Sequence, residues 1–256
     1  MYAIIDHTLV PVRKENSDRS EMVTQLLYGE QVEVLSVKHP WTKIRTCYDD
    51  YEGWIDSKQC RNIELEEFKK LQESASILSL ELLQIASCGN QKQSLVLGSS
   101  LPYQVAGTYK MGTDSWTIEG KVRNCSKEYA KKIIVENALM YLNAPYLWGG
   151  RSPFGIDCSG LTQMAYKLAG VKLWRDARQQ AAQGITLNLL QEAAPGDLAF
   201  FDNQEGNIIH TGIILADGHI IHASGKVRID KLDHQGIFNV DTKKYSHNLR
   251  LIKRIV

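Results

Sequence analysis

Apolar positions along this chain change period partway through. Between residues 1 and 61 they form short alternating runs: VEVLSV (32–37), TKIRT (42–46) and GWID (53–56). Tyr28-Gly29-Glu30, His39-Pro40 and Tyr48-Asp49-Asp50 punctuate them. Short strands separated by turn residues predict a small β-barrel, with Trp41 and Trp54 expected in its core rather than in a groove. In IELEEFKKLQE (63–73), Ile63, Phe68 and Leu71 are spaced helically, predicting a connecting helix. A second β-like region runs from about 76 to 124, clearest in SLVLG, PYQVAGTY and SWTIEGKV. Trp116-Thr117-Ile118 echoes Trp41-Thr42-Lys43-Ile44, which suggests a repeat.

From Ser126 the period becomes helical. SKEYAKKIIVENALMYLN places Ala130, Ile133, Ile134, Ala138, Tyr141 and Leu142 on one stripe. Ser126 is its predicted N-cap and Pro145 its stop. A Gly-rich loop (Trp148-Gly149-Gly150) leads to GIDCSGLTQMAYKLAG (155–170). There Leu161, Met164, Ala165 and Leu168 predict a helix that opens at Cys158 and stops at Gly170. After the polar RDARQQAAQ (175–183) come the strand-like runs DLAFFD (197–202), NIIHTGIIL (207–215), GHIIHAS (218–224) and LRLIKRIV (249–256). Helices followed by antiparallel strands define an α+β fold. The expected boundaries are 1–61, 62–125 and 126–256.

Composition narrows the function classes. A net charge of +1 points to no nucleic acid or anionic membrane. No apolar run approaches the roughly 18 residues of a membrane span. The five cysteines are an odd number without a C-x-x-C pair, so neither zinc spacing nor a disulfide framework is expected. Scattered thiols and a first segment without a signal-peptide pattern predict a cytoplasmic protein, or an exported one if an export signal precedes Met1 in the native chain.

Cys158 is the candidate nucleophile. A helix N-terminus favours its thiolate, whereas Asp157, the predicted cap, opposes it electrostatically. A base is therefore required. Of the seven histidines, His7, His39, His234 and His247 lie in polar contexts and are expected at the surface. His210 and His222 lie inside apolar strand runs, where a ring requires a partner. The turn between those strands decides whether they meet. A two-residue Asp217-Gly218 loop pairs Ala216 with His219 and puts the two rings on opposite faces. A three-residue loop, Ala216-Asp217-Gly218, sets His222 opposite Gly212 and puts both rings on one face, about 7–8 Å apart at the backbone. We expect the latter, as a type I turn with Gly218 left-handed and a G1 bulge. A metal site at Cys158, His210 and His222 is the competing reading.

PYLWGG…DCSG (145–160), RDA..Q (175–180), PGDLAFF (195–201), HTGI (210–213) and HAS (222–224) together resemble the NlpC-type bacterial cell-wall cysteine peptidases. SEMVTQLLYGE (20–30) and YEGWID (51–56) resemble bacterial SH3-like domains. The resemblance implies a papain-like domain, helices on an antiparallel sheet, preceded by two small SH3-like β-barrels. The whole is similar to the γ-D-glutamyl-L-diamino-acid endopeptidases, which cleave muropeptides with a free N-terminal L-Ala. It implies Cys158 as nucleophile, His210 as base and His222 as orienter, without metal or cofactor. Trp148 would shape the pocket beside the thiol, and Asp157 and Ser159 would line the site. Asp176 would pair with the substrate ammonium, with Ala177 where relatives often carry serine; its alternative is a helix N-cap. Tyr51 and Glu21, or Glu15, would close the cleft from the first domain. The expected partner is a murein tripeptide or tetrapeptide, and the expected state a monomer. Another papain-like amide hydrolase or acyltransferase, or an inactive wall-peptide binding module, is the alternative.

Overall fold

The structure is a computed structural model and describes residues 1–125 and 130–256. Ser126, the predicted cap, lies outside the described residues. The chain divides into two units, Met1–Ser126 with Arg151–Pro153, and Lys127–Gly150 with Phe154–Val256.

In the first unit β1 (Tyr2–Ile4), β2 (Leu9–Arg13), β3 (Met22–Leu27), β4 (Gln31–Lys38), β5 (Trp41–Thr46), β6 (Glu52–Asp56) and β7 (Arg61–Ile63) form one antiparallel sheet, in the order β3-β2-β6-β5-β4-β1-β7. The period-two alternation of β5 buries Thr42, Ile44 and Thr46. Ile44 joins Val10, Val12, Leu26, Val32 and Ile55 in the core. Trp41 and Trp54 fall on the opposite parity and stay half-buried, with Lys38 Nζ 5.6 Å from the Trp54 ring. They are surface aromatics, not the core residues expected from their size.

Helix α1 (Leu65–Glu73) follows, with Leu71 buried. The second region contains β8 (Ile77–Ser79), β9 (Leu83–Cys88), β10 (Gln91–Val96), β11 (Thr108–Met111), β12 (Asp114–Ile118) and β13 (Val122–Asn124). They form a sheet β10-β9-β12-β11 and a pair β13-β8. PYQVAGTY is not one strand, because Tyr103 (φ 54°) and Ala106 (φ 48°) turn the chain before β11. The two-residue β14 (Arg151–Ser152) also belongs to this unit. Its Arg151 guanidinium grips buried Glu30 at 2.9 and 3.0 Å and donates to the Gln25 carbonyl at 2.7 Å.

The second unit contains α2 (Ala130–Leu139), β15 (Gly155–Ile156), α3 (Cys158–Lys167), α4 (Ala177–Gln180) and β16 (Ile185–Leu187). Then come β17 (Leu198–Asp202), β18 (Ile208–Ile214), β19 (His219–Ser224), β20 (Lys226–Leu232), β21 (Gly236–Asn239) and β22 (Lys244–Arg254). The strand order is β16-β22-β17-β18-β19-β20-β21. One further pairing joins the two ends: β22 also bonds β21, so the strands from β17 to β22 close into a barrel. Phe201, Ile214, Ile220, Ile237 and Ile252 fill it.

Helix α3 packs against β18 and β19. All ten of its residues are buried, so it is a central helix rather than an amphipathic one. Gly170 ends it in the left-handed region (φ 76°), and Val171 N–H returns to the Tyr166 carbonyl at 2.9 Å. The α2 stripe buries Ile134, Ala138 and Tyr141, but Leu142 is exposed. Asn137 on α2 bonds the Ala165 carbonyl of α3 at 2.9 Å.

Removing one member of the Arg151–Glu30 pair strands a buried charge. Arg151→Ala or Glu30→Ala is expected to lower the unfolding free energy by about 3–5 kcal/mol in a urea titration, while replacing both by Met recovers most of the loss.

Candidate active site

The site begins with a capped helix. Asp157 adopts extended φ/ψ (−94°, 177°), and its Oδ1 accepts the Gly160 N–H at 2.6 Å. A side chain at Gly160 would put its Cβ 2.3 Å from the Gly150 carbonyl oxygen, so the DCSG glycine is required by space. Asp157 is not the bare charge that the sequence suggests. Arg175, 1% exposed, donates Nη1 to Oδ1 at 3.0 Å and Nη2 to Oδ2 at 2.6 Å. Gly149 N–H donates to the same Oδ2 at 2.9 Å, and Arg175 Nη1 also reaches Ser159 Oγ at 2.9 Å. Gln180 completes the frame, donating to the carbonyls of Ser159 (3.0 Å) and Trp174 (2.8 Å).

The β18–β19 hairpin carries the candidate base, His210, and its expected partner, His222. Gly212 pairs with His222 and Ile214 with Ile220, the register of the three-residue loop. The turn type differs from the expected one: Asp217 (φ 56°) and Gly218 (φ 65°) are both left-handed, and His219 N–H bonds the Ala216 carbonyl, as in a type I′ turn. His210 and His222 share a face, and His210 Nε2 lies 2.8 Å from His222 Nδ1. A Cβ on Gly212 would stand 2.9 Å from that of His222.

The chain of bonds continues beyond the expected pair. His222 Nε2 is 3.0 Å from Asp230 Oδ2 on β20. Asp230, fully buried, also accepts from Arg228 at 2.7 and 2.9 Å and from Val240 N–H at 3.0 Å. Burial raises the Asp230 carboxyl, but these donors, His222 first, outweigh it and hold the group well below the usual range. An ionised Asp230 only accepts, so His222 carries its proton on Nε2. Its Nδ1 must then accept from His210 Nε2–H. The lone pair of neutral His210 is left on Nδ1, the atom that can take a proton.

Cys158 opens α3 and is 7% exposed. Its sulfur accepts N–H bonds from Thr211, the neighbour of His210, and from Ser159. Burial, then the Asp157 charge, pushes the thiol up to about 12, against the pull of those N–H groups and Arg175. Burial, then His247 and His222, holds His210 well below 6.5. Burial thus favours the neutral forms of both groups, thiol and imidazole.

His247 corrects the expectation of a surface histidine. Its ring stacks on His210 with centroids 4.1 Å apart and planes 19° apart, and burial brings it down to about 4. His7, His39 and His234 are exposed as expected. Trp148 is 58% exposed. Half-buried Tyr146 feels the thiol: burial, then Cys158 and Asp157, pushes its phenol up to about 12. Asp176 takes the N-cap position of α4, its N–H bonded to Gln179 Oε1 at 3.0 Å, and Ala177 is the first helical residue. Tyr51, Glu21 and Glu15 lie in the first unit. Tyr51 N–H bonds Thr46 Oγ1 at 3.0 Å, Glu21 pairs with Lys14 at 3.6 Å, and Glu15 is exposed. Among the described residues no group of three His, Cys, Asp or Glu side chains is arranged to hold a metal ion. None of their helices is long and apolar enough to cross a membrane.

Asp230→Asn breaks the tautomer chain, and alkylation of Cys158 by iodoacetamide at pH 7 is expected to slow by about 10²-fold or more. The two depressed histidines also set an acid limb of stability. Below about pH 6.5 the unfolded chain binds protons that His210 and His247 refuse, so stability falls as pH drops from 6.5 towards 4. His247→Phe, which keeps a ring beside His210, is expected to flatten that fall in denaturant midpoints measured across this range.

Residues 143–245 match the NlpC/P60 family, and residues 12–59 match the bacterial dipeptidyl-peptidase Sh3 domain. The chain is 27% identical to dipeptidyl-peptidase 6 of Lysinibacillus sphaericus, over 92% of this chain and 93% of that one. It is also 27% identical to a γ-D-glutamyl-L-lysine dipeptidyl-peptidase of Bacillus cereus, over 81% of this chain and 68% of the relative. The fold matches a crystal structure of an NlpC/P60 family protein from Bacillus cereus with a TM-score of 0.83, at 21% identity, covering 100% of this chain and 99% of that one. The chain thus carries an NlpC/P60 domain at residues 143–245 and a bacterial dipeptidyl-peptidase SH3 domain at residues 12–59.

Proposed function

We propose that this peptidase hydrolyses the γ-D-glutamyl–diamino acid bond of muropeptides with a free N-terminal L-Ala, in the recycling of murein peptides. The carrying observation is the match to dipeptidyl-peptidase 6 over nearly the whole of both chains. The bond assignment follows from the similarity to two γ-D-glutamyl-L-lysine dipeptidyl-peptidases, at 27% and 29% identity.

Cys158 is the nucleophile. His210 Nδ1 takes the thiol proton as sulfur attacks the γ-carbonyl, and backbone N–H groups at the start of α3 receive the oxyanion. The protonated His210 then gives its proton to the leaving amine. Water, deprotonated by the same imidazole, releases the thioester as a free carboxylate. His222, fixed by Asp230, stabilises the imidazolium while it lasts.

Asp176 takes the substrate ammonium, which would share the carboxylate with the start of α4. A charge pair of this kind discriminates against a blocked amine, and so against intact wall polymer. Trp148 shapes the pocket, while Tyr51 and Glu21 of the first SH3-like domain contact the substrate's free end. We place the enzyme in the cytoplasm as a monomer, with domains at 1–61, 62–125 and 126–256.

The free tripeptide L-Ala-γ-D-Glu-diaminopimelate is expected to be cleaved to L-Ala-D-Glu and diaminopimelate, and its N-acetylated form at least about tenfold more slowly. Equal turnover of the two rejects the amine requirement. Cys158→Ala should give no product, and Asp176→Ala should raise KM for the free tripeptide far more than for the acetylated one.

A further inference from the structure

His247 reaches the site through a break in the alternation of β22. Ile252 fills the barrel and pairs with Ala199, so unbroken alternation from it would turn Arg250 and Asn248 inward and His247 outward. The register instead shifts between Phe200 and Phe201, which face Leu251 and Leu249. Arg250 is the extra residue, its side chain 61% exposed, and parity reverses beyond it. Leu249 and His247 therefore lie on the face of Phe201 and of its partner His210. A second shift follows at once: Ile237 faces His247 and Phe238 faces Tyr245, which leaves Ser246 as an extra residue. Bulges interrupt a ladder, and they recur beside active sites because they re-aim a side chain. Here two of them bracket one histidine.

The re-aimed ring meets the candidate base. His247 stacks on His210 with centroids 4.1 Å apart and planes 19° apart. The other rings around His210 meet it differently, His222 edge-on at 88° and Phe201 tilted at 47°. The bond to His222 Nδ1 fixes one atom of His210 and leaves its plane open. The ring torsion of a histidine is broad, so a second constraint is required to hold the direction in which Nδ1 points. A parallel ring supplies it. His247 is itself pinned, its Nδ1 2.9 Å from Oγ of Ser246, the bulge residue. Burial keeps this ring neutral at neutral pH, so it adds no charge against an imidazolium on His210.

We propose that His247 is a positioning residue of the peptidase, which sets the plane of the His210 ring and so the direction of its Nδ1. This role rests on the catalytic parts assigned above to Cys158 and His210. Stacking uses the flat ring and neither of its nitrogens, so phenylalanine can replace it, whereas leucine, a bulky side chain without a plane, cannot.

The test compares His247→Leu and His247→Phe with wild type in the full chain, on the free tripeptide L-Ala-γ-D-Glu-diaminopimelate. His247→Leu is expected to lower kcat by about tenfold or more with KM within about twofold of wild type, the sign of a misplaced base rather than of weakened substrate binding. His247→Phe is expected to bring kcat back to within about threefold of wild type. Wild-type kcat in His247→Leu overturns the proposal. So does an equal loss in His247→Phe, which assigns the role to a ring nitrogen. Alkylation of Cys158 by iodoacetamide, followed by peptide mass mapping, needs no substrate and keeps the two claims apart. If wild type leaves the tripeptide intact, but alkylation is slower in His247→Leu and not in His247→Phe, the substrate is rejected and the positioning role stands. Equal alkylation rates in wild type and both variants overturn the role. Should His247→Leu fail to fold, Ser246→Ala, at an exposed position, carries the test. It is expected to lower kcat with KM unchanged, and wild-type kcat in it overturns the proposal.

Discussion

The buried pairing of Asp157 with Arg175 is the constraint on which the catalytic half depends. One carboxylate performs three tasks there: it caps α3, holds the Gly149 N–H of the preceding loop and closes a two-point bond to a guanidinium that also grips Ser159. Each fixes where the helix starts, and therefore where Cys158 stands. The pair also resolves an electrostatic conflict. A carboxylate next to a nucleophilic thiol opposes the thiolate, and Arg175 returns part of that loss at short range. The burial that makes the pair strong also raises the penalty for losing either member.

The same burial makes the dyad neutral at rest. Neither thiol nor imidazole can hold a charge cheaply there, and the structure places ionised groups further along the line instead. Charge is concentrated at Asp230 and Arg228, with exposed Asp241 2.8 Å from Arg228 at the solvent end. In the proposed mechanism, the imidazolium therefore meets a negative end already in position, with little left to reorganise.

Much of this was legible in the chain. Cys158 at a helix start follows from the apolar spacing after Asp157, and the facing histidines follow from counting residues in one loop. What escaped did so for physical reasons. Asp230 sits in KVRIDKL, where a charged residue on a core-facing position breaks the alternation that reveals a strand, so β20 itself went unseen. His247 lies among polar residues of an eleven-residue strand, and it meets His210 through the strand order β22-β17-β18, which no local pattern reveals. Arg175 stood within a recognised motif, but its partner was 18 residues away and no periodicity links them. Trp41 and Trp54 misled because size favours the core, whereas strand parity placed them outside.

The tight turn at residues 216–218 has a consequence for how such chains can diverge. Its strands are nearly blind to parity: Ile220 and Ile221 are both buried, on opposite faces of β19, so a slip by one residue exchanges one isoleucine for the other. Apolar patterning thus does little to hold His222 on the face it shares with His210. Loop length does. An insertion or deletion of two residues keeps the imidazole in place, while one of a single residue turns it away and still leaves an apolar strand to pair. Selection on this loop is therefore expected to act on whether its length is odd or even, more than on its size or composition.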